Sequence, residues 1–284
     1  MIADKGRSPI VFYKFSGSGN DFIIIDNRNR VVDEINLTHF IAKLCRRRMS
    51  IGADGLILVE NPDDPEGIDF KWRYFNADGS VAGMCGNGAR CVAHFAFLKG
   101  IAGLSMTFKN EAGIVTAEIK GNRVKLHMPN PTHIQIDDVI PLITGPLTVS
   151  SVDTGVPHVV VFVDPGNDID VVVKGREIRF HQKYAPAGTN VNFIHLSKDH
   201  TVVIRTYERG VEDETLACGT GAIASALITA IKYGIESPIT LKTRSGENLE
   251  IYFEQKKGQF INIYLEGDAR LVYRGEMGDD AWMY

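Results

Sequence analysis

The chain has 284 residues, of which 44% are hydrophobic and 23% are charged, a composition typical of soluble globular proteins and sufficient for about two domains. A formal net charge of −4 excludes a general electrostatic attraction to nucleic acid or to an anionic membrane. The most apolar helix candidate, residues 222–231, is too short to cross a bilayer, and the four cysteines lack the spacing of a disulfide framework. We therefore expect a cytoplasmic protein with free thiols.

In chain order, the sequence of the first half predicts several strands and, before the cysteine motif described below, one amphipathic helix. The helix is predicted at residues 36–48, where apolar side chains recur with helical spacing. Strands are predicted at residues 10–15, 22–26, 55–59, 70–75 and, as hairpins, within 105–128. Prolines within residues 129–131 and 141–146 then indicate a boundary between two halves.

A Cys-Gly-x-Gly-Ala motif occurs twice, and its copies lie 133 residues apart (218 − 85). The copies are Cys85-Gly86-Asn87-Gly88-Ala89 and Cys218-Gly219-Thr220-Gly221-Ala222. Each opens a segment predicted to be helical, the first stopping at Gly100 and the second at Gly234. A thiol and unpaired backbone amides thus lie at a helix N-terminus, where the helix dipole favours a thiolate and can hold a carboxylate. Two copies indicate a reaction that uses a pair of thiols.

The second half of the chain repeats the first. Residues 188–194 parallel residues 52–58 at an offset of 136 (190 − 54), and after the cysteines an offset of 133 persists, as between Lys109 and Lys242. This repetition predicts an α+β fold of two similar lobes related by a pseudo-twofold axis, each a mixed, mostly antiparallel β-sheet wrapped on a central helix. The lobes are predicted at residues 1–130 and 131–270, with the active site in the cleft between them.

Paired thiols suit acid/base chemistry at a carbon atom. A thiolate on one face of a Cα removes its proton, and a thiol on the opposite face returns another, which inverts the centre. Candidates to bind the α-carboxylate are the backbone amides of Gly86, Asn87, Gly219 and Thr220. Cys45 and Cys91 are predicted to be buried structural residues.

Other uses of these residues are less well supported by the sequence. A redox pair would be expected to form a Cys-x-x-Cys unit, which is absent. No histidine pairs with a cysteine at the spacing of zinc ligands, and no complete nucleotide-binding fingerprint of the Rossmann or Walker kind occurs. We therefore predict no metal and no nucleotide cofactor of these kinds.

These motifs resemble those of the diaminopimelate epimerases, and the resemblance covers nearly the whole chain. The paired cysteine motifs, with Glu208-Arg209-Gly210 upstream of the second, are specific to that family. Further matching segments are Gly19-Asn20-Asp21-Phe22, Gly52-Ala53-Asp54-Gly55-Leu56, Phe75-Asn76-Ala77-Asp78-Gly79-Ser80, Pro157-His158 and Gly188-Thr189-Asn190-Val191. The resemblance implies a cofactor-independent isomerase that interconverts LL- and meso-2,6-diaminopimelate, a step toward lysine and peptidoglycan precursors.

The resemblance also implies a role for each matching residue. Cys85 and Cys218 correspond to the two acid/base thiols, and His158 and Glu208 to the partners that assist them. The implied substrate ligands, besides the four amides, are the side chains of Asn20, Asp54, Asn76, Asn190 and Arg209. Arg209 would pair with the distal carboxylate as a bidentate fork. Residues 271–284 are expected to return to the first lobe. The expected partners are a small-molecule substrate and a second copy in a homodimer, with no nucleic acid and no membrane.

The chain departs from the commoner family pattern at three places. Val156 replaces the Asn of the usual Gly-Asn-Pro-His, Asp54 stands where many members carry Gln, and the loop at residues 212–214 is one residue longer. These departures concern the distal pocket and leave the thiol chemistry intact.

Two alternatives stay open on the sequence alone. A proline or hydroxyproline racemase on the same scaffold would use both thiols, but it would not need Glu208 and Arg209 for a distal group. A non-enzymatic amino-acid-binding protein would need the amides but not the thiols, so alanine at both cysteines would leave its ligand affinity intact.

Overall fold

The computed structural model describes residues 9–32, 36–166 and 169–284. These divide into two compact units. The first contains the described residues up to Val124 together with Ala269–Tyr284, and the second contains Lys125–Asp268. Among the helices described, none has both the length and the apolar character needed to cross a membrane.

The elements of the first unit are mostly short strands. They are β1 (Ile10–Gly17), β2 (Asn20–Asp26), α1 (Leu37–Leu44), β3 (Gly55–Glu60), β4 (Phe70–Asn76), β5 (Val81–Ala82), α2 (Gly86–Leu98), β6 (Ser105–Asn110) and β7 (Gly113–Lys120). Strand β8 (Arg123–Met128) leads into the second unit.

The described residues of the second unit form a longer run of strands and two α-helices. They are β9 (Thr132–Leu142), β10 (Gly145–Asp153), β11 (Pro157–Phe162), α3 (Val171–Arg179), β12 (Asn190–Leu196), β13 (Val202–Glu208), β14 (Asp213–Thr215), α4 (Gly219–Tyr233), β15 (Ile239–Lys242), β16 (Asn248–Lys256) and β17 (Gln259–Asp268). The last strand, β18 (Arg270–Met277), belongs to the first unit, where it pairs antiparallel with β1.

The two units share one strand topology. In the first, β2 is parallel to β3, β3 is antiparallel to β4, and β4 is parallel to β6. In the second, β11 is parallel to β12, β12 is antiparallel to β13, and β13 is parallel to β15. The predicted α+β class, with a mixed and mostly antiparallel sheet in each half, is confirmed.

One helix forms the centre of each unit because it is apolar around most of its circumference. In α2 every residue from Asn87 to Ala96 is buried, and the helix packs against β1, β2, β3, β7 and β18. In α4 most residues up to Thr229 are buried, and the helix packs against β10 to β13 and β15 to β17. A cysteine therefore begins the most deeply buried helix of each unit.

Helix α1 is shorter than its sequence pattern predicts. It ends at Leu44, because the carbonyls of Leu44 and Cys45 accept from the amides of Gly52 and Ala53 instead of continuing the helical ladder. Arg48 then adopts a φ of 68°, which a right-handed helix cannot contain.

The segment at residues 141–146 was predicted to be a boundary, and that prediction is wrong. Pro141 and Pro146 face each other across the β9–β10 hairpin inside the second unit. Proline is tolerated near the end of this hairpin because the strand pairing does not need a backbone N–H donor at every position there. Helix α3 and this hairpin were both missed by the sequence analysis.

Candidate active site

Cys85 caps helix α2 in the first unit. Its backbone is extended, with φ −140° and ψ 115°, and its Sγ accepts from the backbone N–H of Gly88 at 3.4 Å. The side chain is half-buried. An acceptor at this position takes up one of the unpaired amides of the first helical turn, and the helix dipole favours negative charge on it.

Cys218 caps helix α4 in the second unit with nearly the same backbone conformation, φ −123° and ψ 113°. Its Sγ lies 3.5 Å from Thr220 Oγ1, and the residue is buried. Thr154 Oγ1, from the turn before β11, donates to the carbonyl of Thr220 at 3.2 Å and ties that turn to the start of the helix. The predicted pair of N-terminal thiols is thus present, one in each unit.

A chain of hydrogen bonds runs behind the Cys85 motif. The buried Arg90 Nη2 donates to Asn87 Oδ1 at 2.8 Å and to Ser18 Oγ at 2.8 Å. Asn87 Nδ2 donates to Asn20 Oδ1 at 2.6 Å, and Asn20 Nδ2 donates to Asp54 Oδ2 at 2.9 Å. Since each amide has a donor on one side and an acceptor on the other, the orientations of Asn87 and Asn20 are determined.

The negative charge of the Asp54 carboxylate is paired with the guanidinium of Arg47. Arg47 Nη2 donates to Asp54 Oδ1 at 2.8 Å, and Arg47 Nη1 also donates to Asp21 Oδ2 at 3.1 Å. Lys14 Nζ lies 2.8 Å from Asp21 Oδ2. Burial opposes ionisation of Asp21, but the hydrogen bonds from Arg47 and Lys14 outweigh it and hold the pKa of Asp21 below its usual value. Arg47 therefore accommodates an acid at position 54.

Asn76 ends β4 and is exposed. Its Nδ2 donates to Ser80 Oγ at 3.0 Å, and its backbone N–H donates to the Ser80 carbonyl at 2.9 Å. Gly79 closes this turn with a φ of 83°, and a side chain there would collide with the backbone of Thr38. The turn thus holds Asn76 by local bonds, with part of its carboxamide still accessible.

In the second unit, Asn190 and Arg209 lie together at the ends of β12 and β13. The backbone N–H of Arg209 donates to Asn190 Oδ1 at 2.9 Å, and Asn190 Nδ2 donates to the carbonyl of Pro157 at 3.1 Å. Arg209 Nη1 donates to the carbonyl of Ala187 at 3.3 Å. Glu208, the last residue of β13, has its pKa raised by burial, against an opposing contribution from the Thr215 hydroxyl.

His158 is buried at the start of β11, and its ring is neutral. Burial, assisted by the nearby charge of Arg209, lowers the pKa of His158 to about 3. Its Nδ1 lies 3.1 Å from Nδ2 of Asn192, and its Nε2 is buried without a hydrogen-bond partner among the described residues. A buried polar atom of this kind is expected where a ligand completes the site.

Residues that support the candidate site but were not predicted as site residues include Ser18, Arg47, Arg90, Asn192 and Thr206. A signal for Asn192 was available, because Asn190 and Asn192 project from the same face of an otherwise apolar strand. Nothing in the sequence distinguishes Arg90 from a surface arginine.

The second glycine of each motif, Gly88 in the first unit and Gly221 in the second, has different surroundings. A Cβ on Gly221 would collide with Asn192 Oδ1, whereas one on Gly88 would make ordinary contacts at 3.5 Å with Ile57 and Phe22. We expect Gly221→Ala to lower the free energy of unfolding by about 1–3 kcal/mol, as overpacking does. Gly88→Ala, the matched control, should be neutral or stabilise by roughly 0.5–1 kcal/mol because alanine favours a helix.

The measurement is urea unfolding of both variants beside the parent protein. Equal midpoints for Gly221→Ala and the parent would contradict the close approach of Asn192 to α4.

Within the described parts of the chain, no group of three or more His, Cys, Asp or Glu side chains forms a metal-binding cluster. The predicted site residues divide between the units. Asn20, Asp54, Asn76, Cys85, Gly86 and Asn87 lie in the first unit, and His158, Asn190, Glu208, Arg209, Cys218, Gly219 and Thr220 lie in the second.

Comparison with known proteins extends these observations. A sequence model of the diaminopimelate epimerase family matches residues 12–134 and 150–272, one segment for each half. The diaminopimelate epimerase of Aquifex aeolicus (strain VF5) is 41% identical over 283 residues, which are 96% of this chain and 99% of the relative. That of Chlorobaculum tepidum is 45% identical over 266 residues, 92% of this chain and 98% of the relative.

Solved structures of lower identity share the fold. A hydroxyproline epimerase from Agrobacterium vitis, with bound trans-4-hydroxy-L-proline, has a TM-score of 0.70 at 16% identity, covering 97% of this chain and 94% of its own. A Bacillus anthracis protein of the PhzF family has a TM-score of 0.72 at 16% identity, covering 95% of this chain and 99% of its own. The sequence relatives are far more similar and agree with the family model over both halves, and so this chain belongs to the diaminopimelate epimerase family.

Proposed function

We propose that this chain epimerises diaminopimelate by a two-thiol mechanism, interconverting the LL and meso forms without a cofactor. The isomerase class and the diaminopimelate substrate follow from the family. One observation supports the mechanism above all others. Cys85 and Cys218 are both N-cap residues, each at the start of the buried central helix of its unit.

The proposed reaction begins with one cysteine as thiolate and the other as thiol. The thiolate removes the proton from the Cα of one end of the substrate, and the electron pair left behind is delocalised into the adjacent carboxylate. The other thiol then delivers its proton to the opposite face of the same carbon. The centre is inverted, and the two cysteines have exchanged protonation states. Before another turnover in the same direction, one cysteine loses its proton to solvent and the other gains a proton from solvent.

Backbone amides at the two helix starts are proposed to hold the reacting carboxylate. Those of Gly86, Asn87, Gly219 and Thr220 belong to the first turns of α2 and α4, where N–H groups lack intrahelical partners. They stabilise the charge that develops on the carboxylate as the proton leaves.

Polar side chains are proposed to recognise the rest of the substrate. Asn20, Asn76 and Asn190 are held by hydrogen bonds to neighbouring residues, so their remaining donors and acceptors have set directions. Asp54 is engaged by Asn20 and Arg47, and we infer that it contributes by orienting Asn20. Arg209 is proposed to bind the distal carboxylate. Glu208 is proposed to assist the thiol chemistry and to bind the distal ammonium.

His158 is proposed to assist the thiol chemistry as a neutral hydrogen-bond donor. Its lowered pKa keeps the ring uncharged near neutral pH, and its unpartnered Nε2 can bond to a sulfur or to the substrate. A cationic imidazole is not required by this role.

The experiment that tests the proposed function is epimerisation of LL-diaminopimelate in deuterated water, followed by NMR with no cofactor added. Deuterium is expected to appear at one α-position as the LL and meso forms equilibrate, because the returning proton comes from a thiol that exchanges with solvent. A chelator should not slow the reaction, and pyridoxal phosphate should not accelerate it. A strict requirement for either a metal or that cofactor would refute the two-thiol mechanism.

A proline or hydroxyproline racemase is the second candidate, since a hydroxyproline epimerase shares the fold. That likeness, at 16% identity, concerns the fold alone. Turnover of proline with none of diaminopimelate in the same assay would favour this candidate.

We also propose that the enzyme works as a homodimer in the cytoplasm. The consecutive residues Leu271, Val272 and Tyr273 of β18 each expose 41% or more of their area, which is unusual for apolar side chains unless another surface covers them. Sedimentation velocity is expected to show a dimer that Val272→Glu weakens. A parent protein that stays monomeric at all concentrations would exclude the homodimer.

A further inference from the structure

Three neighbouring strands of the second unit each carry one buried polar residue, and together these residues form a polar trio. The family motifs quoted above include only one of the three, His158. His158 lies on β11, Asn192 on β12 and Thr206 on β13, where Thr206 is the cross-strand partner of Asn192. Their exposed fractions are 1%, 0% and 3%. Polar groups so deeply buried cost free energy unless they are hydrogen-bonded, and so their pairing is informative.

Hydrogen bonds determine which way the Asn192 carboxamide points. Thr206 Oγ1 lies 3.0 Å from Asn192 Oδ1, and Asn192 Nδ2 lies 3.0 Å from the carbonyl of Val159. A carbonyl can only accept, so the atom facing Val159 must be the nitrogen. The second hydrogen of that nitrogen is then directed at His158 Nδ1, 3.1 Å away.

The tautomer of His158 follows from this orientation. Nδ1 must accept from Asn192, so a neutral ring carries its hydrogen on Nε2. Protonation of Nδ1 would bring two N–H donors together in a buried site. His158 is therefore suited to donate from Nε2 and unsuited to take up a proton at Nδ1.

Asn192 of this trio packs against the start of α4. A methyl group placed on Gly221 would meet both Asn192 Oδ1 and, at 3.4 Å, Cys218 Cβ. The carboxamide therefore occupies the space that the motif glycine leaves, next to the N-cap cysteine.

The fold itself does not require this polar trio. In the first unit the place of Asn192 is taken by Ile57, because a Cβ on Gly88 of α2 would contact Ile57 as one on Gly221 of α4 would contact Asn192. Ile57 is fully buried, and its cross-strand partner is Tyr74. Because an apolar side chain satisfies the architecture there, the buried pair of Asn192 and Thr206 in the second unit calls for another reason.

We propose that Asn192 is a positioning residue that holds His158 as the Nε2–H tautomer, so that His158 serves the site as a donor and not as a base. The proposal rests on the proposed function in one respect, namely that His158 takes part in the thiol chemistry. Thr206 supports Asn192 by fixing its carbonyl oxygen, and Gly221 leaves room for it.

The test combines NMR with kinetics on the full-length protein. With ¹⁵N-labelled histidine, long-range ¹H–¹⁵N correlation spectra distinguish the Nδ1–H, Nε2–H and doubly protonated rings, and His158→Gln identifies the signal. The parent protein is expected to show the Nε2–H form at neutral pH. Asn192→Asp, which replaces the donor with an acceptor, should move the hydrogen to Nδ1 and lower kcat/KM by about 10- to 100-fold, the usual effect of losing an orienting partner.

Thr206→Val is the matched control, because it removes a bond to the same carboxamide but leaves the Nδ2 donor in place. It should keep the Nε2–H tautomer and lose less activity than Asn192→Asp. An Nδ1–H or doubly protonated His158 in the parent protein would overturn the proposal, and that measurement needs no variant of Asn192 to fold. An unchanged tautomer and unchanged kcat/KM in Asn192→Asp would overturn it as well.

The outcome is separable from that of the proposed function. If the parent protein fails to epimerise diaminopimelate but shows the Nε2–H ring, and Asn192→Asp shifts it, only the proposed function fails. If epimerisation is normal and the tautomer is wrong, only the role of Asn192 fails.

Discussion

Cys85→Ala and Cys218→Ala are each expected to lower the rate of diaminopimelate epimerisation by about 10³-fold or more, the upper part of the range for a positioned acid or base. Each variant keeps one thiol, which is insufficient because inversion needs proton removal on one face and delivery on the other. Serine at either position should restore little, since a hydroxyl ionises far less readily than a thiol. The measurement is steady-state kinetics from both the LL and the meso side.

Cys45→Ala is the matched control for the thiol variants. Cys45 is a buried residue at the end of α1, and burial raises its pKa to about 12, so it stays a thiol at neutral pH. This variant should keep epimerase activity. If Cys85→Ala or Cys218→Ala instead lost only a few-fold, a one-base mechanism would replace the proposed one.

Arg209→Ala is expected to lower kcat/KM for diaminopimelate by about two to four orders of magnitude. Removing the guanidinium leaves the distal carboxylate without its partner in a desolvated site, a loss of roughly 3–5 kcal/mol when one member of a buried pair is deleted. Arg209→Lys should recover part of the loss, because an ammonium group cannot reproduce the two-pronged contact. Activity on a monocarboxylic amino acid, measured in parallel, should change far less.

A surface arginine of the same unit provides the control. Arg244 is about half exposed, and its Nη1 pairs with the buried Glu214 at 2.8 Å. Arg205 holds the same carboxylate by two hydrogen bonds, so Glu214 keeps a charged partner when Arg244 is removed. Arg244→Ala should therefore leave kcat/KM close to that of the parent. If Arg209→Ala lowered kcat/KM for diaminopimelate by no more than a few-fold, Arg209 would not bind the distal carboxylate. That result would favour the proline or hydroxyproline racemase alternative.

The two halves of the duplicated fold have diverged in the residues that support their cysteines. At the offset of 133, Arg90 of the first unit corresponds to Ile223 of the second. The first unit builds a hydrogen-bond chain from Arg90 through Asn87 and Asn20, whereas the second uses the trio around Asn192. The same local motif is thus held by two different sets of neighbours.

Local signals in the sequence determined the duplicated architecture, the helix that each cysteine begins and the family. A cysteine followed by two spaced glycines and an apolar helix is readable because capping and helix periodicity act over a few residues. The β9–β10 hairpin and α3 were not readable in this way, since the prolines of the hairpin and the mixed composition of α3 suited a linker equally well.

Only the tertiary structure decided how distant residues support the site. Ser18 meets Arg90 across 72 positions, and His158 meets Asn192 across 34. Such contacts depend on sheet register and on which strands become neighbours, and a shift of one residue would turn Asn192 to the opposite face. The sequence therefore predicts the two thiols, whereas the hydrogen bonds that orient Asn20 and His158 follow from long-range strand pairing that no local pattern encodes.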